Sequence, residues 1–280
     1  MRSVVTPWLA LLALPGCTAD RPLSVYVIDC GRIRFGSPAP FGLADSETDI
    51  REFSVPCYVV EHPAGTLLWE AGMPTHLAGQ GWTDPPPGTI AASGVQVRLD
   101  RPLSASLREM GLDMGSFDYV AVSHMHFDHV GAVDELSSTT FLTARAEFDA
   151  AMADSITVPL FNPAYYTAIQ SSERIMLEGE HDVFGDGRVR ILPAPGHTPG
   201  HQVLRVHLEE TGQVLLAGDL YFFKIGRELR RVPRFNVDAE ETRGSIDRIE
   251  ALAAETGAEV WIEHDAEQFD TLRKSPIPYR

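Results

Sequence analysis

The stretch Tyr119-Val120-Ala121-Val122-Ser123-His124-Met125-His126-Phe127-Asp128-His129-Val130-Gly131 decides the reading of this chain. An apolar run of strand-forming residues is followed at once by four potential metal ligands, His124, His126, Asp128 and His129. Three more candidates each stand just past a further apolar run: His197 in Pro195-Gly196-His197-Thr198-Pro199-Gly200-His201, Asp219 in Ala217-Gly218-Asp219, and His264 in Ile262-Glu263-His264-Asp265. Adjacent strands end side by side, so ligands far apart in sequence can meet in one crevice. Imidazole with carboxylate is a donor set that suits Zn²⁺. Seven donors exceed the needs of one tetrahedral ion and suit two ions sharing a carboxylate and a water. His124, His126 and His197 are therefore assigned to a first metal, Asp128, His129 and His264 to a second, and Asp219 to the bridge. Taken singly, such a histidine is more often a hydrogen-bonded core or surface residue; the ordered set is what carries the assignment. His62, His76, His181 and His207 lack this context and read as solvated, while His201 reads either as a brace for the loop around His197 or as simple packing.

Working outward, the 280 residues suffice for one large α/β domain, and 44% hydrophobic content is ordinary for a globular core. Lysine and arginine number 23 against 39 for aspartate and glutamate, a net charge of −16 that excludes nucleic acid as a favoured partner. Residues 1–20 read as an export signal: Arg2, an apolar run through Leu9, Leu11, Leu12 and Leu14, then Gly16-Cys17. Leu14-Pro15-Gly16-Cys17 resembles a lipoprotein box, although Pro15 is unusual there, and lipidation at Cys17 is preferred over plain secretion. The expected location is the periplasm or the outer membrane through a lipid on Cys17, with membrane contact by that lipid alone. The apolar run is too short for a permanent span. Cys30 and Cys57 read as two separate buried thiols, with pairing left open should the compartment be oxidising.

The remainder, 21–280, reads as one domain without repeats. Strand patterns fall at Leu23–Ile28, Cys57–Glu61, Thr66–Trp69, Tyr119–Val122, Thr140–Thr143, Val189–Leu192, Gln202–Val206, Val214–Ala217 and Glu259–Ile262. A helix is predicted over Asp238–Glu255, with Asp238 as cap and Gly257 as stop. Two sheets packed face to face with helices outside are expected. Phe35–Pro56 reads as a long loop, of the kind that often carries function.

On the His-x-His-x-Asp-His run with His197, Asp219 and His264, the chain resembles the metallo-β-lactamase-fold hydrolases over roughly residues 23 to 270. Within them it is similar to the N-acyl-homoserine lactonase branch, through aspartate at 219 and the stretch from Gly218-Asp219-Leu220-Tyr221 through Val232-Pro233-Arg234-Phe235-Asn236. The resemblance implies an α/β fold, the four-layer αβ/βα sandwich, with two Zn²⁺ ions per chain. It also implies opening of an acyl-lactone ring by a hydroxide held between the metals, Asp128 moving the proton and Tyr221 hydrogen-bonding a reacting oxygen. Phe35, Phe41, Trp82, Phe161, Tyr165 and Tyr166 are candidates to line an apolar groove for the acyl chain. Two departures stand out. The branch places a tyrosine three residues after the bridging aspartate, where this chain has Phe222 with Tyr221 one position earlier. The family's Asp-x-Gly appears as Glu70-Ala71-Gly72. Competing readings are a metallo-β-lactamase of the third subclass, against which Asp219 argues; another dimetal esterase, thioesterase or phosphoesterase; and an exported metal-binding lipoprotein without turnover.

Overall fold

The computed structural model describes residues 21–90, 94–136 and 139–280. The expected leader 1–20, with Cys17, lies outside the described residues.

Seven strands form the first sheet: β1 (Ser24–Arg34), β2 (Glu52–His62), β3 (Gly65–Trp69), β4 (Gln96–Arg98), β5 (Tyr119–Ala121), β6 (Thr140–Ala144) and β7 (Arg174–Leu177), in the order β4-β1-β2-β3-β5-β6-β7. Five form the second: β8 (His181–Asp182), β9 (Val189–Pro193), β10 (Gln202–Leu208), β11 (Gly212–Leu216) and β12 (Glu259–Trp261), in the order β12-β11-β10-β9-β8. The helices are α1 (Leu103–Glu109), α2 (Phe127–Val130), α3 (Arg145–Ala151), α4 (Lys224–Glu228), α5 (Ala239–Thr256) and α6 (Ala266–Thr271).

The central strands of both sheets are buried on both faces, which is why they read as near-continuous apolar runs and not as alternation. Along β3, Leu67 and Trp69 enter the core between the sheets, where they join Val189, Leu204, Val214 and Trp261. Leu68 enters the outer core with Leu103 and Leu107 of α1. On the far side, Val203, Leu215 and Val260 pack under Ile246, Ile249 and Ala253 of α5. The order is helix, sheet, sheet, helix, the expected four layers.

Helix α5 starts where Asp238 accepts the N–H groups of Glu240 and Glu241, and stops at Gly257 (φ 68°). The sequence missed β4, β7 and β8, which are short or polar. The long loop ends sooner than expected, because Glu52–Pro56 already belong to β2. Cys30 and Cys57 are corrected: β1 pairs antiparallel with β2, and the two residues form a disulfide with Cα atoms 5.9 Å apart. No spacing in the sequence revealed that these positions face one another.

Candidate metal centre

Six of the seven expected ligands stand shortly after the strands β5, β11 and β12. His124, His126, Asp128 and His129 follow β5, the last two within α2, and His264 follows β12. His197 stands in the tight turn between β9 and β10. Asp219 follows β11 in the 3-10 turn Gly218–Leu220. All seven are buried, and their inward atoms converge.

His124 Nε2, His126 Nδ1 and His197 Nε2 lie 2.7 to 3.2 Å from one another, and Asp219 Oδ2 lies 3.1 Å from His197 and 3.6 Å from His124. On the other side, Asp219 Oδ1 lies 3.0 Å from His264 Nε2 and 3.3 Å from His129 Nε2; Asp128 Oδ2 is 3.8 and 3.9 Å from the same two nitrogens. Four donors about 2.1 Å from a tetrahedral ion stand about 3.4 Å apart. Both groups match that spacing, and Asp219 offers one oxygen to each.

Tautomers give an independent test of fit. Four of the five imidazoles have one nitrogen tied to a single outside acceptor. His124 Nδ1 meets Ser123 Oγ (2.9 Å), His197 Nδ1 meets Asn236 Oδ1 (2.9 Å), and His264 Nδ1 meets the Ser54 carbonyl (2.8 Å). His126 is reversed, its Nε2 meeting the Pro159 carbonyl at 3.0 Å, so that its Nδ1 faces inward. An N–H spent outward leaves a lone pair directed inward. Lone pairs converging at 2.7 to 3.2 Å repel unless a cation lies among them. His129 Nε2 and Asp219 Oδ1 are buried without a hydrogen-bond partner. The group is able to hold metal.

Electrostatics agree. Burial, then the neighbouring imidazoles, holds His124 and His126 well below the usual histidine range, so both are neutral donors. Burial pushes the Asp219 carboxyl up, but His264, His129, His124 and His197 outweigh it and hold the group ionised. For His129 burial works downward, and Asp219, Glu263, Glu70 and Asp128 outweigh it: the second group sits in a strongly negative field.

Several supports were not foreseen. Glu147 of α3, fully buried, accepts the N–H groups of Met125 and Gly200, both at 2.9 Å, and so ties the His124–His129 segment to the His197 turn. A Cβ at Gly200 would lie 2.3 Å from the Glu147 nitrogen, so only glycine fits that approach. Asn236 and Glu263 were also missed, although each lies in a stretch quoted for its neighbours. His201 braces the turn around His197 and Asp219 as well: its Nδ1 donates to the Ala194 carbonyl across that turn while its Nε2 accepts the Asp219 N–H at 2.9 Å, and burial holds it at about 3 and therefore neutral. His62 is not solvated; it is buried, stacked on Phe184 at 4.4 Å and bonded to Asp186.

Tyr221 requires correction as a catalytic residue. Its backbone is extended, so Tyr221 and Phe222 point to opposite sides. The Tyr221 hydroxyl donates to Glu250 of α5 at 2.7 Å, and its ring packs in the core beneath that helix. Phe222 faces the site, its ring 5.2 Å from that of His264.

Above the ligands opens a cavity of about 360 Å³, lined by Phe35, Phe41, Phe53, Phe222 and Phe235 together with Ile33, Ile90, Val95 and Leu160. Asp128, Asp219, His126 and His264 form its floor. Of the expected groove residues, Phe35 and Phe41 line it; Trp82, Phe161, Tyr165 and Tyr166 do not. Trp82 instead lies under the Arg34 guanidinium at 3.8 Å, and the buried Tyr166 hydroxyl donates to the Ala151 carbonyl.

A four-layer sandwich with this histidine and aspartate cluster at its strand ends defines a metal-dependent hydrolase class, and residues 50–256 match the model of the metallo-beta-lactamase superfamily. The chain belongs to that superfamily. It is 27% identical over 238 residues to the N-acyl homoserine lactonase AttM of Azorhizobium caulinodans, covering 81% of this chain and 88% of the relative. It is 29% identical over 224 residues to an N-acyl homoserine lactonase of a Bacillus species, covering 79% and 84%. Among solved structures, an N-acyl homoserine lactone hydrolase with the product N-hexanoyl-L-homoserine at its catalytic metal center superposes with a TM-score of 0.78 at 25% identity, covering 92% of this chain and all of that one.

Proposed function

We propose that the protein is a two-zinc lactonase that hydrolyses N-acyl homoserine lactones. The observation that carries this reading is the juxtaposition of two ligand groups sharing Asp219 with a cavity walled almost entirely by apolar side chains. A substrate for such a site presents one hydrolysable polar head to the floor and an apolar chain to the wall. The lactonases to which the chain is similar carry that substrate class in their names. The donor set of five imidazoles and two carboxylates favours zinc. His124, His126 and His197 would hold one ion, Asp128, His129 and His264 the other, and Asp219 both. Bound there, the ions supply Lewis-acid polarisation of the carbonyl and a water of lowered pKa.

The chain's own residues do the rest. Phe35, Phe41, Phe222 and Phe235 bind the acyl chain and exclude water from the floor. Asp128 reaches the second ligand group and also lines the cavity, so its carboxylate can take the proton of the attacking water. As the ring C–O bond breaks, the same proton passes to the departing ring oxygen, and the new carboxyl releases the second water proton to solvent, leaving an acyl-homoserine carboxylate. No tyrosine lines the cavity among the described residues, so Phe222 contributes shape and no hydrogen bond. Export, with or without a lipid on Cys17, remains part of the proposal. The buried Cys30–Cys57 disulfide supports it, since such bonds persist mainly in oxidising compartments.

A parallel assay on acyl-homoserine lactones, a β-lactam, a thioester and a phosphate ester tests the reading. Ring opening that a chelator abolishes and Zn²⁺ restores is the expected result. Two metals per chain with no ring opening at any acyl length would overturn the lactonase assignment.

A further inference from the structure

Behind His129 stands a second layer of acid that the ligand set does not use. Glu70 and Glu263 are 0% and 1% exposed. His129 Nδ1 lies 3.3 Å from Glu70 Oε2 and 3.4 Å from Glu263 Oε1, with Ser123 Oγ also at 3.3 Å. Ser123 Oγ is already engaged with His124 Nδ1, and Glu70 gives its Oε1 to the Ser123 N–H at 2.9 Å. Glu70 Oε2 and both Glu263 oxygens are left buried without a hydrogen-bond partner. Glu70 also holds a left-handed backbone (φ 67°), a conformation that non-glycine residues adopt at a cost.

Glu70, His129 and Glu263 are close enough together to hold a cation of their own. His129 cannot serve there, because a neutral imidazole has one lone pair and the Nε2 atom, 3.3 Å from Asp219 Oδ1, already points it at the main centre. The Nδ1 atom must then carry the proton, and Ser123 Oγ at 3.3 Å and the two carboxylates at 3.3 and 3.4 Å compete to accept it. The other four histidines are each backed by one uncharged acceptor: Ser123, the Pro159 carbonyl, Asn236 or the Ser54 carbonyl.

We infer that Glu263, acting with Glu70, is a positioning residue for His129: the pair grips the Nδ1–H, turns Nε2 toward Asp219 and strengthens it as a donor, so that this side of the centre retains its metal. The inference rests on the two-metal reading given above. It goes beyond it by making metal retention at the Asp128–His129–His264 group depend on a residue that does not touch the metal.

The test uses the full chain loaded with Zn²⁺ or Co²⁺ and equilibrated against a graded chelator. Glu263→Met removes the acid and keeps an apolar volume. The variant is expected to release its second metal equivalent at about 10- to 100-fold lower chelator concentration, with part of the Co²⁺ visible absorption changed. The metal-free variant should melt close to the metal-free parent, because Glu70 remains to accept the Nδ1–H and one of two adjacent buried carboxyls has been removed. Glu263→Gln, closest in shape, should fall in the same direction by less. Parent-like retention in both variants, or metal loss accompanied by an equally lowered metal-free melting point, overturns the inference. A parent that never holds two metals overturns the reading beneath it as well.

Discussion

The floor of the cavity and its wall are held by different means. The ligands below are placed by strand ends and tight turns, and four of the five histidines have the second nitrogen tied by a directed bond to one named acceptor. The wall is a cluster of phenylalanines from separate segments, packed edge to face at ring centroid distances of 5.1 Å for Phe35–Phe41 and 5.7 Å for Phe41–Phe235. Directed bonds fail all at once when one is removed, whereas apolar packing weakens by degrees. The two regions should therefore answer mutation differently.

The largest effect is expected at the residue both ligand groups share. Asp219→Ala should leave less than one metal per chain and lower lactone hydrolysis by about 10³-fold or more, measured by elemental analysis and turnover on the same sample. Retention of both metals would break the distinction at its strongest point. Next is Asn236→Ala, which frees the His197 ring without touching the inward atoms. Metal affinity should fall about 10- to 100-fold, read by chelator competition. On the wall, Phe235→Ala should lower kcat/KM for long acyl chains about 10-fold through KM, leaving kcat and short chains little changed; a loss in kcat instead would mean that the ring belongs to the floor. Tyr221→Phe is the smallest. It removes the hydroxyl bonded to Glu250 and should cost about 1 kcal/mol of stability with turnover unchanged.

What could be read from the sequence divides along the same line. The ligands were legible because a strand signal fixes where the chain ends in space, and His124, Asp219 and His264 each stand just beyond such a signal. Helix α5 was legible for a comparable reason, since Asp238 and Gly257 mark its ends in local chemistry. The wall was not. Whether Phe35 or Trp82 faces the cavity depends on how a loop folds back, and nothing local to Trp82 shows that arginine will claim its ring. Tyr221 was misread because a one-residue step along extended backbone reverses a side chain. Glu263 was overlooked because a carboxyl beside a ligand has no signature until the strand end places it behind His129.

The Cys30–Cys57 bond fastens β1 to β2, and Gly72 lies against it: a Cβ there would meet Cys30 Cβ at 2.5 Å. Met73 follows, its N–H donating to the Cys30 carbonyl, and the Ala71 N–H donates to the carbonyl of His129. The bond closes a loop with a sequence separation of 27, and loop entropy alone makes such a staple worth about 3.5 kcal/mol. A recombinant host's reducing cytosol would deliver the chain unfastened. Batches from cytosol and from an oxidising compartment should then differ in heat resistance and shelf life while binding the same quantity of metal, so the choice of host becomes an experimental variable for this enzyme.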